Sequence, residues 1–283
     1  MLAKETKIKI KKALTEDIKS QDITTNLFIS PNKKFYAQMK AKSDCVVCGT
    51  EMAAYAFKTL NSKASVKIFI KDGKKAFKGD IIMTILSDRT LLCAERTALN
   101  IVQRLSAISS AAAKAVKKAG KTVILDTRKT TPLWRLEEKY AVKTGGAGNH
   151  RFGLYDAFMI KDNHIAAMDS FEKLKEKIFE ARKKFPKKIL EIEAQNLNQA
   201  KQFAYLKPDI LMLDNMTFQD MKKAIKEIRL ISPKTKIELS GGIKEKDISK
   251  YSKLKADFIS LGYLTHSVKA ADISLEIKEK KYE

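Results

Sequence analysis

The chain has 283 residues, which at roughly 100–200 residues per domain allows one large domain or two ordinary ones. Its 44% apolar and 31% charged residues exclude a disordered chain, and no run approaches the ~18 uninterrupted apolar residues of a membrane span. The formal charge of +23 invites a nucleic-acid partner, but the lysines are scattered through every segment, without a basic recognition helix or an aromatic stacking motif. A nucleic-acid binder is therefore not expected.

Ile10, Leu14 and Ile18 recur at helical spacing and predict a first helix over about 5–18. Phe35, Ala37, Met39 and Ala41 alternate with polar neighbours, as in a half-buried strand. Further strands are expected at Val46–Val47 and Ser65–Ile70, with a helix over about 51–60 between them. Asp72-Gly73 and Lys78-Gly79-Asp80 are turn signals on either side of Lys74–Phe77, and Ile81–Leu86 reads as another strand. A long helix is predicted from about Arg89 to Lys118. Strands and helices do not alternate here, so residues 1–110 read as an α+β domain.

From Lys121 the rhythm changes. Short apolar runs stand at Thr122–Leu125, Ala157–Ile160, Ile189–Ile192, Ile210–Leu213, Lys236–Leu239 and Phe258–Leu261. Helical patterns over 169–184, 197–205, 217–229 and 244–252 fill most of the gaps, as in a parallel sheet of βα units. Six units without a Rossmann glycine fingerprint favour a barrel over an open sheet. Each run ends in polar residues or glycine: Asp126-Thr127-Arg128-Lys129, Lys161-Asp162-Asn163-His164, Glu193, Asp214-Asn215, Ser240-Gly241-Gly242 and Leu261-Gly262. In βα barrels that carboxyl rim carries the active site.

Only eight of the 56 cations are arginine, and six of the eight lie between Arg89 and Arg151. Arginine's planar fork grips carboxylates and phosphates in a way lysine does not, so the clustering points to an anionic ligand. Arg128, Lys129, His150, Arg151 and Lys161 form a cationic set that needs an anion to be tolerable, and a dicarboxylate suits it. Ser240-Gly241-Gly242, between a strand and a helix, is a candidate phosphate cradle, which Leu261-Gly262 and His266-Ser267 could complete. Glu193 and Asp214 end successive strands. They could share Mg²⁺ with substrate oxygens or act as the acid/base pair of a glycosidase; the cationic surroundings favour phosphate chemistry.

Other signals carry less. Cys45-Val46-Val47-Cys48 has redox spacing without a thioredoxin-like context or a second pair for zinc. Trp134 is either core or pocket wall. Three cysteines and a lysine-dotted Met1–Leu14 without an apolar h-region lead to the expectation of no secretory signal and a cytoplasmic location.

Several stretches together resemble the quinolinate phosphoribosyltransferases, also called carboxylating nicotinate-nucleotide pyrophosphorylases. The resemblance begins at Asp22-Ile23-Thr24-Thr25, Glu95-Arg96-Thr97-Ala98-Leu99-Asn100 and Arg104-Leu105-Ser106. It continues through Asp126–Pro132, Glu138–Val142, Gly145-Gly146, Asn149-His150-Arg151, Gly153–Asp156 and Ile160–His164. It ends in Leu213-Asp214-Asn215, Ser240–Ile243 and Leu264–Ser267, so it covers almost the whole chain.

This resemblance implies an N-terminal α+β sandwich domain over 1–110, with a tail 269–283 packing back on it, and an incomplete TIM-like α/β barrel over 111–268. It implies a homodimer or an assembly of dimers, and a transfer of phosphoribosyl from phosphoribosyl pyrophosphate to quinolinate with Mg²⁺. The products are nicotinate mononucleotide, pyrophosphate and CO2, on the de novo route to NAD. By the same resemblance Arg128, His150, Arg151 and Lys161 hold quinolinate, and Arg96 reaches the neighbouring subunit's site. Lys129 meets the pyrophosphate, and Glu193 and Asp214 meet the ribose and its metal. Ser240, Gly241 and Gly242 with Leu261 and Gly262 take the 5′-phosphate. Lys129, Lys161, Glu193 and Asp214 are the implied catalytic set. The alternative is a paralogue of the same architecture acting on another substrate. Three positions depart from the family pattern: Leu133-Trp134 replaces a usual Gly-Leu, Ala147 a third glycine, and Gln195 an acid.

Overall fold

The computed structural model describes residues 2–168 and 170–278. Position 169, the expected first residue of one helix, and 279–283 of the tail lie outside the described residues.

In chain order come α1 (Lys4–Ile18), α2 (Ile23–Phe28), β1 (Phe35–Ala41), β2 (Cys45–Val46), α3 (Thr50–Leu60), β3 (Ser65–Ile68), β4 (Lys75–Ala76), β5 (Ile81–Ser87) and α4 (Thr90–Ala119). There follow β6 (Val123–Leu125), α5 (Arg135–Thr144), β7 (Phe158–Ile160), α6 (Asp162–Ala166), α7 (Phe171–Lys184), β8 (Leu190–Ala194) and α8 (Leu197–Ala204). The chain closes with β9 (Ile210–Asp214), α9 (Phe218–Ile231), β10 (Lys236–Ser240), α10 (Ile248–Ser252), β11 (Phe258–Ser260), α11 (Tyr263–His266) and β12 (Ile273–Lys278).

Two compact units result. The first comprises the described residues to Ala113, Thr131–Gly146 and those from Ser267. Its sheet has the order β12-β1-β5-β3 with antiparallel neighbours. Phe35, Ala37, Met39 and Ala41 are buried on one face of β1, which is what their alternation demands. Inclusion of Thr131–Gly146 departs from the contiguous 111–268 barrel domain expected from sequence. The reason is electrostatic. Glu137 and Glu138 on α5 are each only 1% exposed. Glu137 takes Thr6 Oγ1 at 2.8 Å and Lys9 Nζ at 3.0 Å. Glu138 takes Arg104 Nη2 at 2.8 Å and Thr131 Oγ1 at 2.7 Å. These partners tie α5 to α1 and α4 of the same unit.

The second unit comprises Lys114–Thr130 and Ala147–His266. Its six strands are all parallel, in the order β6-β11-β10-β9-β8-β7. Each strand from β7 to β11 pairs with the next in sequence, and the last returns to β6. That is the order of a βα barrel, lacking only the join between β6 and β7, and it excludes a doubly wound sheet. Parity does the rest. Leu190, Ile192 and Ala194, Leu211 and Leu213, and Ile237 and Leu239 are buried, while the alternate positions of the same strands turn to the barrel interior.

No helix among the described residues is long and apolar enough to cross a membrane. Cys45 and Cys48 are buried free thiols whose pKa values burial pushes up, which disfavours a nucleophilic thiolate.

Candidate active site

The interior positions of the second unit line one cavity of about 770 Å³ at the carboxyl ends of its strands. Met159, Met212 and Glu238 form a lower layer; Lys161, Glu193, Asp214, Ser240 and Ser260 stand two residues further along each strand, toward the mouth. Arg128, Lys129, His150, Arg151, Gly241, Gly242, Leu261 and Gly262 complete the wall. Every sequence-predicted site residue but one is thus in this cavity. The exception is Arg96, exposed on α4 in the first unit, where it lines a separate cleft with Arg104, Thr131 and Trp134.

β6 delivers the cationic loop. Asp126 is fully buried; its Oδ1 accepts the backbone N–H of His150 at 2.8 Å and its Oδ2 the Asn149 side-chain amide at 2.8 Å. One carboxylate thereby anchors both the β6 end and the segment bearing Arg151. Thr265 Oγ1 donates to the Lys129 carbonyl at 2.7 Å, and Lys129 N–H donates to Thr127 Oγ1 at 3.0 Å. Arg151 Nη1 donates to the Ala157 carbonyl at 3.1 Å. Burial, and then the positive charge of Arg128, pull the Arg151 pKa down. Two guanidiniums are close enough to oppose each other, as befits a site built to receive an anion.

Lys161 Nζ pairs with Glu193 Oε1 at 2.5 Å. Burial raises the Glu193 pKa, Lys161 opposes this, and the charge of Asp214 adds to the rise. The phosphate-cradle turn is held by backbone contact: Asn215 N–H donates to the Ser240 carbonyl at 3.1 Å. Gly241 has φ +94°, and a Cβ there would overlap the Asn215 backbone, standing 2.7 Å from its Cα.

Sequence reasoning missed the cavity floor. Glu238 is 0% exposed, and His150 Nε2 lies 3.0 Å from Glu191 Oε2 and 3.6 Å from Glu238 Oε1. The signal existed in Leu190-Glu191-Ile192-Glu193 and Ile237-Glu238-Leu239-Ser240, where acids occupy the interior parity of buried strands. Of the three departures, Leu133 is 84% exposed with φ +66°, and Ala147 is buried at an ordinary φ. Gln195 donates to Asp162 Oδ2 at 2.9 Å and does not line the cavity.

Comparison with known proteins now decides the family. Residues 22–106 match the model of the quinolinate phosphoribosyl transferase N-terminal domain, and 107–276 that of the C-terminal domain. The chain belongs to the quinolinate phosphoribosyl transferase family. It is 42% identical over 278 residues to a probable nicotinate-nucleotide pyrophosphorylase (carboxylating) of Methanocaldococcus jannaschii, covering 95% of both chains. The crystal structure of NadC from Streptococcus pyogenes superposes with a TM-score of 0.90 at 37% identity, covering 99% of each chain. The nicotinate-nucleotide pyrophosphorylase of Francisella tularensis does so with 0.89 at 34%, covering 97% of this chain and 96% of that one. The family members share the two-part fold described above, a small-sheet domain and a parallel six-stranded one.

Proposed function

We propose that the barrel cavity transfers phosphoribosyl from phosphoribosyl pyrophosphate to quinolinate, with loss of CO2, to give nicotinate mononucleotide and pyrophosphate for NAD synthesis. The observation that carries this reading is that Arg128, His150, Arg151 and Lys161 line the same cavity as the Ser240–Gly242 cradle. A dicarboxylate fits the first and a phosphate the second.

Arg128, His150, Arg151 and Lys161 hold the quinolinate carboxylates, and Lys129 the pyrophosphate. Ser240, Gly241 and Gly242, with Leu261 and Gly262, hold the 5′-phosphate. Glu193 and Asp214 face the ribose. They are hard oxygen donors close enough for one to raise the pKa of the other, a donor set that fits Mg²⁺. When bound there, Mg²⁺ would neutralise charge on the pyrophosphate.

The pyridine nitrogen attacks the anomeric carbon as the bond to pyrophosphate breaks, through an oxocarbenium-like state. The fixed cations stabilise the departing charge. The ring is then a pyridinium, which takes the electron pair left as the adjacent carboxylate departs as CO2, and a proton from solvent completes the product. The protein's part is chiefly orientation, worth at best about 7–11 kcal/mol. Arg96, exposed on α4, is assigned to the neighbouring subunit's cavity, so the working form is a homodimer or an assembly of dimers. A cytoplasmic location accords with three unpaired cysteines.

The purified protein should release pyrophosphate only when quinolinate, phosphoribosyl pyrophosphate and Mg²⁺ are all present, with nicotinate mononucleotide identified by mass spectrometry. No quinolinate-dependent release at saturating Mg²⁺ overturns this reading.

A further inference from the structure

Asn215 follows Asp214 at the carboxyl end of β9, and both residues line the barrel cavity. Its φ of +55° is left-handed, a conformation that asparagine adopts more readily than most residues. The side chain meets its neighbour: Asn215 Nδ2 donates to Asp214 Oδ2 at 2.8 Å. A carboxylate only accepts, so the amide must present its nitrogen there, and its oxygen is left for the other side. That oxygen lies against Gly241, where an added Cβ would overlap it.

The backbone makes a second link. β9 and β10 pair with Ser240 opposite Asp214, and Asn215 N–H donates to the Ser240 carbonyl at 3.1 Å. Gly241, at φ +94°, then packs on the Asn215 backbone, so the cradle turn takes its shape against this residue. Asn215 thus stands between a carboxylate and the phosphate cradle, with a hydrogen bond to each. Neither bond involves Arg128, His150, Arg151 or Lys161. In the reading above, Asp214 faces the ribose of phosphoribosyl pyrophosphate and Ser240–Gly242 take its 5′-phosphate, so both bonds serve one substrate.

Resting on that reading, we propose that Asn215 is a positioning residue for phosphoribosyl pyrophosphate. Its amide fixes the Asp214 carboxylate that faces the ribose, and its backbone fixes the turn that holds the 5′-phosphate. With Oδ2 engaged by the amide, Asp214 keeps Oδ1 for the ligand.

Two substitutions keep the turn while changing the side chain, because glycine adopts a positive φ freely and aspartate tolerates one. Asn215→Gly removes the amide and retains the backbone N–H. It should raise the phosphoribosyl pyrophosphate KM, and its Kd by calorimetry without quinolinate, about tenfold. The quinolinate KM should stay within about threefold and the melting temperature within about 3 °C. Asn215→Asp should be the worse of the two, since it sets a second carboxylate where Asp214 had a donor.

Phosphoribosyl pyrophosphate constants within about twofold of the parent in Asn215→Gly overturn the proposal, because the amide then serves only the turn. So does an equal rise in both KM values with a lower melting temperature, the mark of a merely structural role. Asn215→Asp matching the parent has the same consequence. A crystal structure of Asn215→Gly should show Asp214 turned from its parent orientation, and an unchanged Asp214 rotamer overturns the proposal whatever the activity. A parent protein that makes no nicotinate mononucleotide defeats the proposed function instead, and the Asp214 rotamer then judges Asn215.

Discussion

Asp126 Oδ1 accepts the backbone N–H of His150 at 2.8 Å, joining two segments 24 residues apart beneath the cationic end of the cavity. The same buried carboxylate holds the Asn149 amide through its other oxygen. Asp126→Ala should therefore deprive two half-exposed donors of their buried acceptor, at a cost of about 1 kcal/mol in stability. The quinolinate KM should rise more than the phosphoribosyl pyrophosphate KM, because the displaced loop carries Arg151. Thermal denaturation with steady-state kinetics checks both.

Arg128→Ala separates binding from folding. Arg128 lowers the Arg151 pKa, so its removal relieves repulsion and should leave the melting temperature unchanged or slightly higher. Quinolinate affinity should fall about 100-fold, the worth of a lost two-pronged charge-assisted contact. A large drop in melting temperature would make Arg128 structural.

The two cradle glycines should behave differently. Gly241→Ala would drive a Cβ into the Asn215 backbone at φ +94°. It should weaken phosphoribosyl pyrophosphate binding and cost more than about 1 kcal/mol of stability. At Gly242, with φ +61°, an added Cβ meets nothing within 4 Å, so Gly242→Ala should be the milder change in both measurements.

Leu133 has a φ of +66°, the left-handed conformation that a leucine adopts at a cost of roughly 1–2 kcal/mol. Being 84% exposed, it returns little by burial. Leu133→Gly should consequently raise stability by about 0.5–1 kcal/mol, read by denaturant unfolding.

pH should reveal Asp257 in the barrel unit. Burial pushes its pKa up, but hydrogen bonds from Arg229 Nη2 at 2.6 Å, Ile237 N–H at 2.9 Å and Lys236 Nζ at 3.0 Å more than offset this, and the net shift is downward from 3.8. A depressed folded-state value contributes stability above the unfolded pKa and loses it as pH falls through the folded one. Asp257→Asn should be less stable than the parent by about 1 kcal/mol at pH 7, a figure kept small because the pair is partly solvated. The difference should close as the pH drops below 3.8.

Elements whose burial follows a simple period were legible in the sequence. β1 and α4 have such patterns, and both lie within a residue of their expected bounds. Elements stabilised from elsewhere were not. α5 reads as a charged stretch because Glu137, Glu138 and Lys139 are turned inward, and partners that include Thr6, Lys9, Arg104 and Thr131 make that burial tolerable for the two acids. α2 exposes Ile23, Leu27 and Phe28 and is defined by its Asp22 cap, so no hydrophobic period marks it. β12 is a strand because β1 offers it an antiparallel edge from the other end of the chain.

By itself the sequence determined six βα strands, the polar residues at their carboxyl ends, and the arginines that stand out among lysines. Such features are local, since strand parity and turn chemistry depend on near neighbours. The tertiary structure alone decided which strands adjoin, that Arg128 and Arg151 oppose one another, and that Glu191 and Glu238 close on His150. Charged groups are stable inside a protein only with partners, and here those partners come from strands far apart in the chain. The apolar period along any one strand carries no record of them.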